Sequence, residues 1–175
     1  MAAIVTPEQQ AVPTEKILEE QLKFQKRLNN ITNKIHAAKD TNDILLNLQG
    51  EILGLFDADR ITIYMVDGIK RQIVSKLKTG NEVSEIRVPI GNDSIAGYCA
   101  ASGKMVSITN AYDESELKKL NPSLVFDKRW DEKTGYKTNQ VLVAPVTYNK
   151  YLLGVIQLIN KKSGKHFTQE DQTSV

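Results

Sequence analysis

The residue types that most often carry chemistry are sparse in this chain of 175 residues. The two histidines, His36 and His166, are far apart in the sequence, so we expect no metal or haem site. The single cysteine, Cys99, lies among apolar residues, which favours a buried and inert thiol, and it cannot form an intrachain disulfide. The sequence therefore predicts no catalytic residue, no metal site and no enzymatic activity.

Acidic residues cluster at Asp113, Glu114 and Glu116, where paired carboxylates for acid–base catalysis have to be considered. Lys118 and Lys119 follow directly. Acidic residues followed by basic ones match the dipole of a short helix, because carboxylates are favoured at a helix start. The run is therefore interpreted as an exposed helix start.

Composition and charge exclude several classes of partner. Lys and Arg total 23 against 21 Asp and Glu, so the formal net charge is only +2 and no basic stripe predicts nucleic-acid binding. No apolar segment approaches the roughly 20 residues that a membrane span needs, so we expect no membrane contact in this fragment. A cytoplasmic location is expected, since there is no signal-peptide pattern.

The sequence NKKSGKHFTQEDQ near the C-terminus predicts a structural contact. Thr168 and Asp171 have the spacing of a capping box, so a helix should begin at Thr168, and Phe167 can pack beside it as a hydrophobic staple. Lys161, at the end of an apolar strand, can then meet Asp171 in the first helical turn. We call Asn160, Lys161, Phe167 and Asp171 the lock, because they are expected to join strand to helix without any chemistry of their own.

Three segments are expected along the chain: a flexible leader at 1–13, a helix at 14–38, and a compact domain at 39–175 whose C-terminal helix is truncated. Apolar residues of the first helix recur at spacings of three and four. They are Ile17, Phe24, Leu28, Ile31 and Ile35, with Gln21 as a polar interruption. This seam predicts either a coiled-coil dimer or an amphipathic helix that lies on its own domain.

The compact domain begins with a second helix, capped by Asp40 or Thr41, that turns apolar residues towards the core. After Asp59 the apolar period changes to two, which indicates strands. Six extended segments are expected, at 61–65, 71–78, 85–90, 104–108, 140–147 and 151–160. A short helix capped by Asp93 or Ser94 separates the third from the fourth. Strands in hairpins with helices before and after them predict an α+β fold with an antiparallel sheet.

Several segments resemble one family in the expected order. They are DSIAGYCAASG (93–103), ITNAY (108–112), DEKTGYKT (131–138), VLVAPV (141–146) and GVIQLINK (154–161). The lock is similar to the NKFDE signature of GAF domains from cyclic-nucleotide phosphodiesterases and cyanobacterial adenylyl cyclases, with Gln172 at its last position. The resemblance covers residues 41–172. It implies a central six-stranded antiparallel sheet with helices on one face and, on the other, a pocket under a lid of loop and short helices at 113–138.

The resemblance also implies ligand contacts. Ile95 and Ala96 would offer backbone N–H groups to a phosphate at a helix N-terminus. Asp131, Thr134 and Thr138 would come from the lid and the residues after it, and Gln157 would point into the cavity. Lys78 and Thr79 depart from the pattern, because the nucleotide-binding members have an aromatic residue and a carboxylate there. A cyclic nucleotide, another small ligand and no ligand all stay open, and Trp130 and Tyr136 either cover a ligand or pack the lid.

The function that the resemblance implies is a regulatory, small-molecule-sensing GAF module of a larger bacterial signalling or multidomain protein. Its partners would be a small ligand and a second copy of the chain, joined through the N-terminal and C-terminal helices. The alternative is a ligand-free dimerisation domain attached to an output domain such as a kinase, a cyclase or a secretion or pilus ATPase.

Overall fold

A computed structural model describes residues 14–37, 48–79 and 82–175, without the side chains of 35–37, 77–79 and 82–84. The described helices are α1 (Thr14–Ala37), α2 (Gln49–Phe56), α3 (Ile95–Ser102), α4 (Glu114–Leu120), α5 (Arg129–Thr134) and α6 (Gln169–Ser174). The strands are β1 (Ala58–Asp67), β2 (Gln72–Thr79), β3 (Glu82–Pro89), β4 (Val106–Ile108), β5 (Val141–Tyr148) and β6 (Tyr151–Lys161). The leader at 1–13, the caps Asp40 and Thr41 and the side chain of Ile35 lie outside the described residues.

One six-stranded sheet organises the domain, in the order β3-β2-β1-β6-β5-β4 with every neighbouring pair antiparallel. The predicted α+β fold with an antiparallel sheet is thereby confirmed. Strand β3 begins at Glu82, three residues before the start that the sequence predicted. The β5–β6 turn falls at Asn149 and Lys150, which both have positive φ values, 45° and 70°, as a two-residue hairpin loop requires.

One face of the sheet is covered by the helices at the two ends of the described chain. Ile61, Ile63, Leu142 and Leu158 of the sheet form a buried cluster with α2 and Phe167. Asp57 ends α2 in the left-handed conformation (φ 52°), and its N–H bonds the carbonyl of Leu53. We call this the helix face.

The first helix lies on that face along only part of its length. Ile31 is 5% exposed, Phe24 and Leu28 pack against the same cluster, and the rings of Phe24 and Phe56 meet edge to face at 6.2 Å. Ile17, in contrast, is 44% exposed. The amphipathic-helix alternative therefore describes the C-terminal part of the seam, and the dimer hypothesis is confined to the N-terminal part.

The opposite face, which we call the lid face, packs against α3, α4 and the connecting loops. Ile73, Val143 and Val155 of the sheet are buried with Leu117 and Leu124 of the lid. The lid thus folds over the sheet as the resemblance implied. No helix in the described ranges is both long enough and apolar enough to cross a lipid bilayer.

Candidate functional site

The start of α3 carries the two residues predicted to contact a phosphate, Ile95 and Ala96. The N-cap Ser94 is extended, and its hydroxyl accepts the N–H of Gly97 at 3.1 Å. The N–H groups of the first helical residues have no partner within a helix, so those of Ile95 and Ala96 are left for an external acceptor. A Cβ at Gly97 would lie 2.5 Å from the carbonyl oxygen of Pro89, so only glycine lets α3 approach β3 this closely.

A polar pair lies on the lid face at the centre of the sheet. Gln157 of β6 pairs in register with Thr62 of β1, two residues from the paired Val155 and Tyr64. Side chains two positions apart share a face of a strand, and Val155 and Tyr64 belong to the lid-face core. Val155 is fully buried, whereas Thr62 and Gln157 are half-buried. The lid therefore covers this pair less completely than it covers Val155.

Polar groups continue from the pair towards β2. Burial raises the pKa of Tyr64 to about 12, although the hydrogen bond with Thr62 lowers it. The hydroxyl of Ser75 is buried and, among the side chains that the structure describes, stands without a hydrogen-bond partner. Such a group costs about 1–3 kcal/mol. The pairs described between β1 and β2 are Asp67–Gln72, Val66–Ile73 and Met65–Val74. Ser75 is the first residue of β2 beyond these pairs.

The lid residues predicted to bind a ligand differ in their surroundings. Asp131 is buried, and its carboxylate accepts the N–H and the hydroxyl of Thr138 at 2.6 and 2.8 Å and the hydroxyl of Tyr112 at 2.9 Å. Burial, followed by the bond to Asp131, raises the pKa of Tyr112. Thr134 is exposed and donates to the carbonyl of Trp130. Asp131 and Thr138 are therefore bonded to each other, and the hydroxyl of Thr134 is bonded within α5.

The acidic run forms the start of α4. The carboxylate of Asp113 accepts the N–H groups of Ser115 and Glu116, and these bonds lower its pKa, with the Ser115 hydroxyl contributing most. Glu116 in turn accepts the N–H of Thr109 at 2.7 Å. Asp113 thus caps α4, and Glu116 joins that helix to the backbone that follows β4, in agreement with a helix start.

Three residues of the lock, Lys161, Phe167 and Asp171, meet in the structure. Lys161 Nζ lies 2.7 Å from Asp171 Oδ2, and the two side chains are 13% and 8% exposed. Thr168 and Asp171 form a reciprocal capping box. The ring of Phe167 is buried with its centroid 5.9 Å from Lys161 Nζ. Strand β6 and helix α6 are thus joined by a shielded ion pair.

Asn160 joins the lid to β6, a role that its position in the lock did not reveal. With φ at 49°, it accepts the N–H groups of Asn139 and Gln140 through Oδ1 at 2.8 and 2.9 Å. Its amide group donates to the Lys137 carbonyl and to the Tyr136 hydroxyl, both at 2.9 Å. One amide side chain therefore satisfies four groups at the end of the lid.

The antiparallel sheet with helices on one face and a lid on the other defines the GAF fold. The GAF domain family matches residues 40–175, and the chain belongs to this family. It is 28% identical over 172 residues to a probable 3',5'-cyclic phosphodiesterase, pde-5, of Caenorhabditis elegans, covering 89% of this chain and 22% of the relative. It is 34% identical over 131 residues to a dual 3',5'-cyclic-AMP and -GMP phosphodiesterase 11A of Takifugu rubripes, covering 67% and 13%. The predicted resemblance to phosphodiesterase GAF domains is confirmed.

A solved structure shares the fold at low identity. The GAF domain of a phosphoenolpyruvate-protein phosphotransferase from Coxiella burnetii superposes with a TM-score of 0.67 and 18% identity, over 87% of this chain and 86% of that one. This similarity supports the fold alone.

Proposed function

We propose that this chain is the regulatory, small-molecule-sensing GAF module of a larger protein, and that it binds a cyclic nucleotide between the lid and the sheet. The observation that carries the proposal is the half-buried polar pair of Thr62 and Gln157 on the lid face, beside the fully buried Val155. Half-buried polar groups at the centre of a sheet are expected where a ligand completes the packing.

Two kinds of contact would orient the ligand. The N–H groups of Ile95 and Ala96, at the start of α3, suit a cyclic phosphate because of the helix dipole. The amide of Gln157 can both donate and accept, as recognition of a purine edge requires. The names of the phosphodiesterase relatives support cyclic nucleotides as the ligand class.

The departure at Lys78 and Thr79 predicts a weaker site than that of the nucleotide-binding family members. Without an aromatic face, roughly 1–3 kcal/mol of stacking on the base is missing. That loss corresponds to roughly 5- to 150-fold in the dissociation constant. Binding by this chain should therefore depend on the phosphate contact more than on the base.

The chain spans 22% and 13% of the two named relatives, and we propose that it regulates an attached output domain. For regulation, the ligand must bind one arrangement of the lid more tightly than another. A ligand with equal affinity for both arrangements would not change the equilibrium between them. We propose a non-enzymatic role, because burial raises the pKa of the Cys99 thiol to about 12 and leaves it unreactive. A bacterial origin and a cytoplasmic location stay predictions.

A second candidate function is dimerisation through α1. Ile17, Leu18 and Leu22 are 44%, 66% and 54% exposed, although an amphipathic helix normally buries such residues. A second copy of α1 would cover them, and α6 is the other helix that we propose to take part. A ligand-free pairing domain would need this contact and would leave the half-buried pair of Thr62 and Gln157 without a role.

Thermal unfolding in the presence of purine nucleotides tests the ligand proposal. At a concentration of 100 times its dissociation constant, a bound cyclic nucleotide should add about 2.7 kcal/mol to the free energy of unfolding. The linear 5'-monophosphates serve as controls for unspecific stabilisation by anions. No stabilisation by cyclic AMP or cyclic GMP would reject the cyclic nucleotide as ligand.

A further inference from the structure

The side chain of Tyr136 in the lid is held by three residues of the sheet. Its hydroxyl donates to Asp59 Oδ2 at 2.6 Å and accepts from Asn160 Nδ2 at 2.9 Å. The guanidinium carbon of Arg60 lies 3.5 Å from the centroid of its ring. Asp59 and Arg60 open β1 and Asn160 ends β6, so Tyr136 connects the lid to both central strands at once.

The chemistry of these contacts favours them, and Tyr136 is half-buried while Asp59 and Arg60 are exposed. A short O–H···O⁻ hydrogen bond to a carboxylate is stronger than one between neutral groups. Burial, followed by the bond to Asp59, raises the pKa of Tyr136 to about 12, so the phenol keeps its proton and stays a donor at neutral pH. The face of the ring attracts the Arg60 cation.

The two helices of the lid are attached to the domain by different means. Helix α4 buries Leu117 in the lid-face core, and the Tyr98 hydroxyl of α3 donates to the carbonyl of Leu120. Helix α5 buries Asp131 alone, and that carboxylate accepts hydrogen bonds from Thr138 in the lid and from Tyr112 just before it. With so little apolar burial, α5 depends on polar contacts to stay on the domain.

The chain can bend next to Tyr136. Helix α5 ends at Gly135, which is left-handed with φ at 67°, and a glycine there can change its backbone angles at low cost. Asp131 and Thr138 lie on either side of this point and are bonded to each other, so they would move together with Tyr136. Loss of the Tyr136 contacts would leave the α5 half of the lid held by fewer contacts, such as the bond between Asp131 and Tyr112, while α4 stays packed.

We infer that Tyr136, Asp59 and Arg60 form a latch that holds the α5 half of the lid against β1. Tyr136 is thus a positioning residue for the proposed ligand site, and the latch controls how fast a ligand enters and leaves. The effect on ligands rests on the proposed function. The latch itself is a property of the protein alone.

Amide hydrogen exchange in the ligand-free protein tests the latch. Tyr136→Phe removes only the hydroxyl, and Tyr151→Phe removes a hydroxyl from a side chain that is 76% exposed in the β5–β6 hairpin. Since a hydrogen bond to a charged group contributes about 1.5–3 kcal/mol, exchange across 128–138 should rise roughly 10- to 100-fold in Tyr136→Phe. Exchange in α4 and β6 should not change, and Tyr151→Phe should match the parent protein. Asp59→Asn should reproduce the effect, and it replaces Tyr136→Phe if that variant does not fold.

Unchanged exchange across 128–138 in both variants would overturn the latch, and so would an equal rise over the whole domain, because that would be a general loss of stability. A second experiment, with nucleotides, distinguishes the latch from the proposed function. In rapid-mixing experiments with cyclic AMP and cyclic GMP, Tyr136→Phe should raise the association and dissociation rates together by a similar factor. If neither nucleotide binds while exchange at 128–138 still rises, the proposed function fails and the latch stands.

Discussion

Lys161 Nζ and Asp171 Oδ2 lie 2.7 Å apart in a site where both side chains are nearly buried. The same oxygen also accepts the N–H of Thr168 at 2.6 Å. Thus a single carboxylate oxygen contacts both the last residue of β6 and the N-cap of α6. Breaking one partner of a shielded ion pair leaves the other charge without compensation, and this typically costs 3–5 kcal/mol when the pair is buried.

Replacing Asp171 by Asn should lower the free energy of unfolding by about 3 kcal/mol, because Lys161 loses its counter-ion and Thr168 its charged acceptor. Urea unfolding at neutral pH measures the change. Glu170→Gln removes the same charge from the exposed neighbouring position and should cost less than about 0.5 kcal/mol. Equal losses in both variants would show that only the helix dipole matters.

The packing of α1 can be tested by comparing its two ends. Ile31→Ala should cost about 2 kcal/mol, since Ile31 is 5% exposed and its removal leaves a cavity beside α2. Leu22→Ala, at a side chain that is 54% exposed, should change stability by less than about 0.5 kcal/mol. Denaturant titration of both variants checks this, and a tolerated Ile31→Ala would mean that α1 does not pack on α2.

Dimerisation through the exposed end of α1 predicts a concentration-dependent mass. Leu22→Asp should raise the dissociation constant of the dimer at least tenfold, because it places a charge on the apolar surface that a second copy would cover. Sedimentation equilibrium measures this constant. Asn30→Asp adds the same charge at another exposed position and should leave the equilibrium unchanged. A parent protein that stays monomeric at high concentration contradicts the dimer. Leu28 is unsuitable for this test, since it packs against the domain.

Alkaline stability should depend on Cys99. Burial raises the pKa of its thiol from 9.0 to about 12, so above pH 9 the unfolded chain has lost a proton that the folded chain keeps. The folded state therefore loses stability as pH rises through this range. Between pH 8.5 and pH 10 the parent protein should lose about 1 kcal/mol more than Cys99→Ala. Identical pH profiles would show that the thiol is accessible to water in the folded protein.

Local patterns were sufficient to predict the hairpins and the capping box. A period of two identified the strands, and the spacing of Thr168 and Asp171 anticipated the capping box that the structure contains. Both signals act over a few residues, so neighbouring side chains alone determine them.

Contacts between distant residues left no such signal. Asp59 and Tyr136 are 77 residues apart in the sequence, and no local pattern around either residue predicts that they form a hydrogen bond.

The seam of α1 was ambiguous for a different reason. Apolar residues at spacings of three and four fit a coiled coil and a helix on its own domain equally well, and only the position of Phe56 beside Phe24 distinguishes the two.

We propose that a cyclic nucleotide binds between the lid and the sheet, at the start of α3 and at Gln157. The most direct measurement is a titration of ¹⁵N-labelled protein with cyclic AMP and with cyclic GMP, following the backbone amides of Ile95 and Ala96 and the side-chain amide of Gln157. We predict saturable shifts of these three signals at a common dissociation constant, while those of Tyr148 and Tyr151 at the hairpin tip do not move. Signals that stay unchanged up to millimolar nucleotide, or that move at the hairpin and not at α3, would contradict the account.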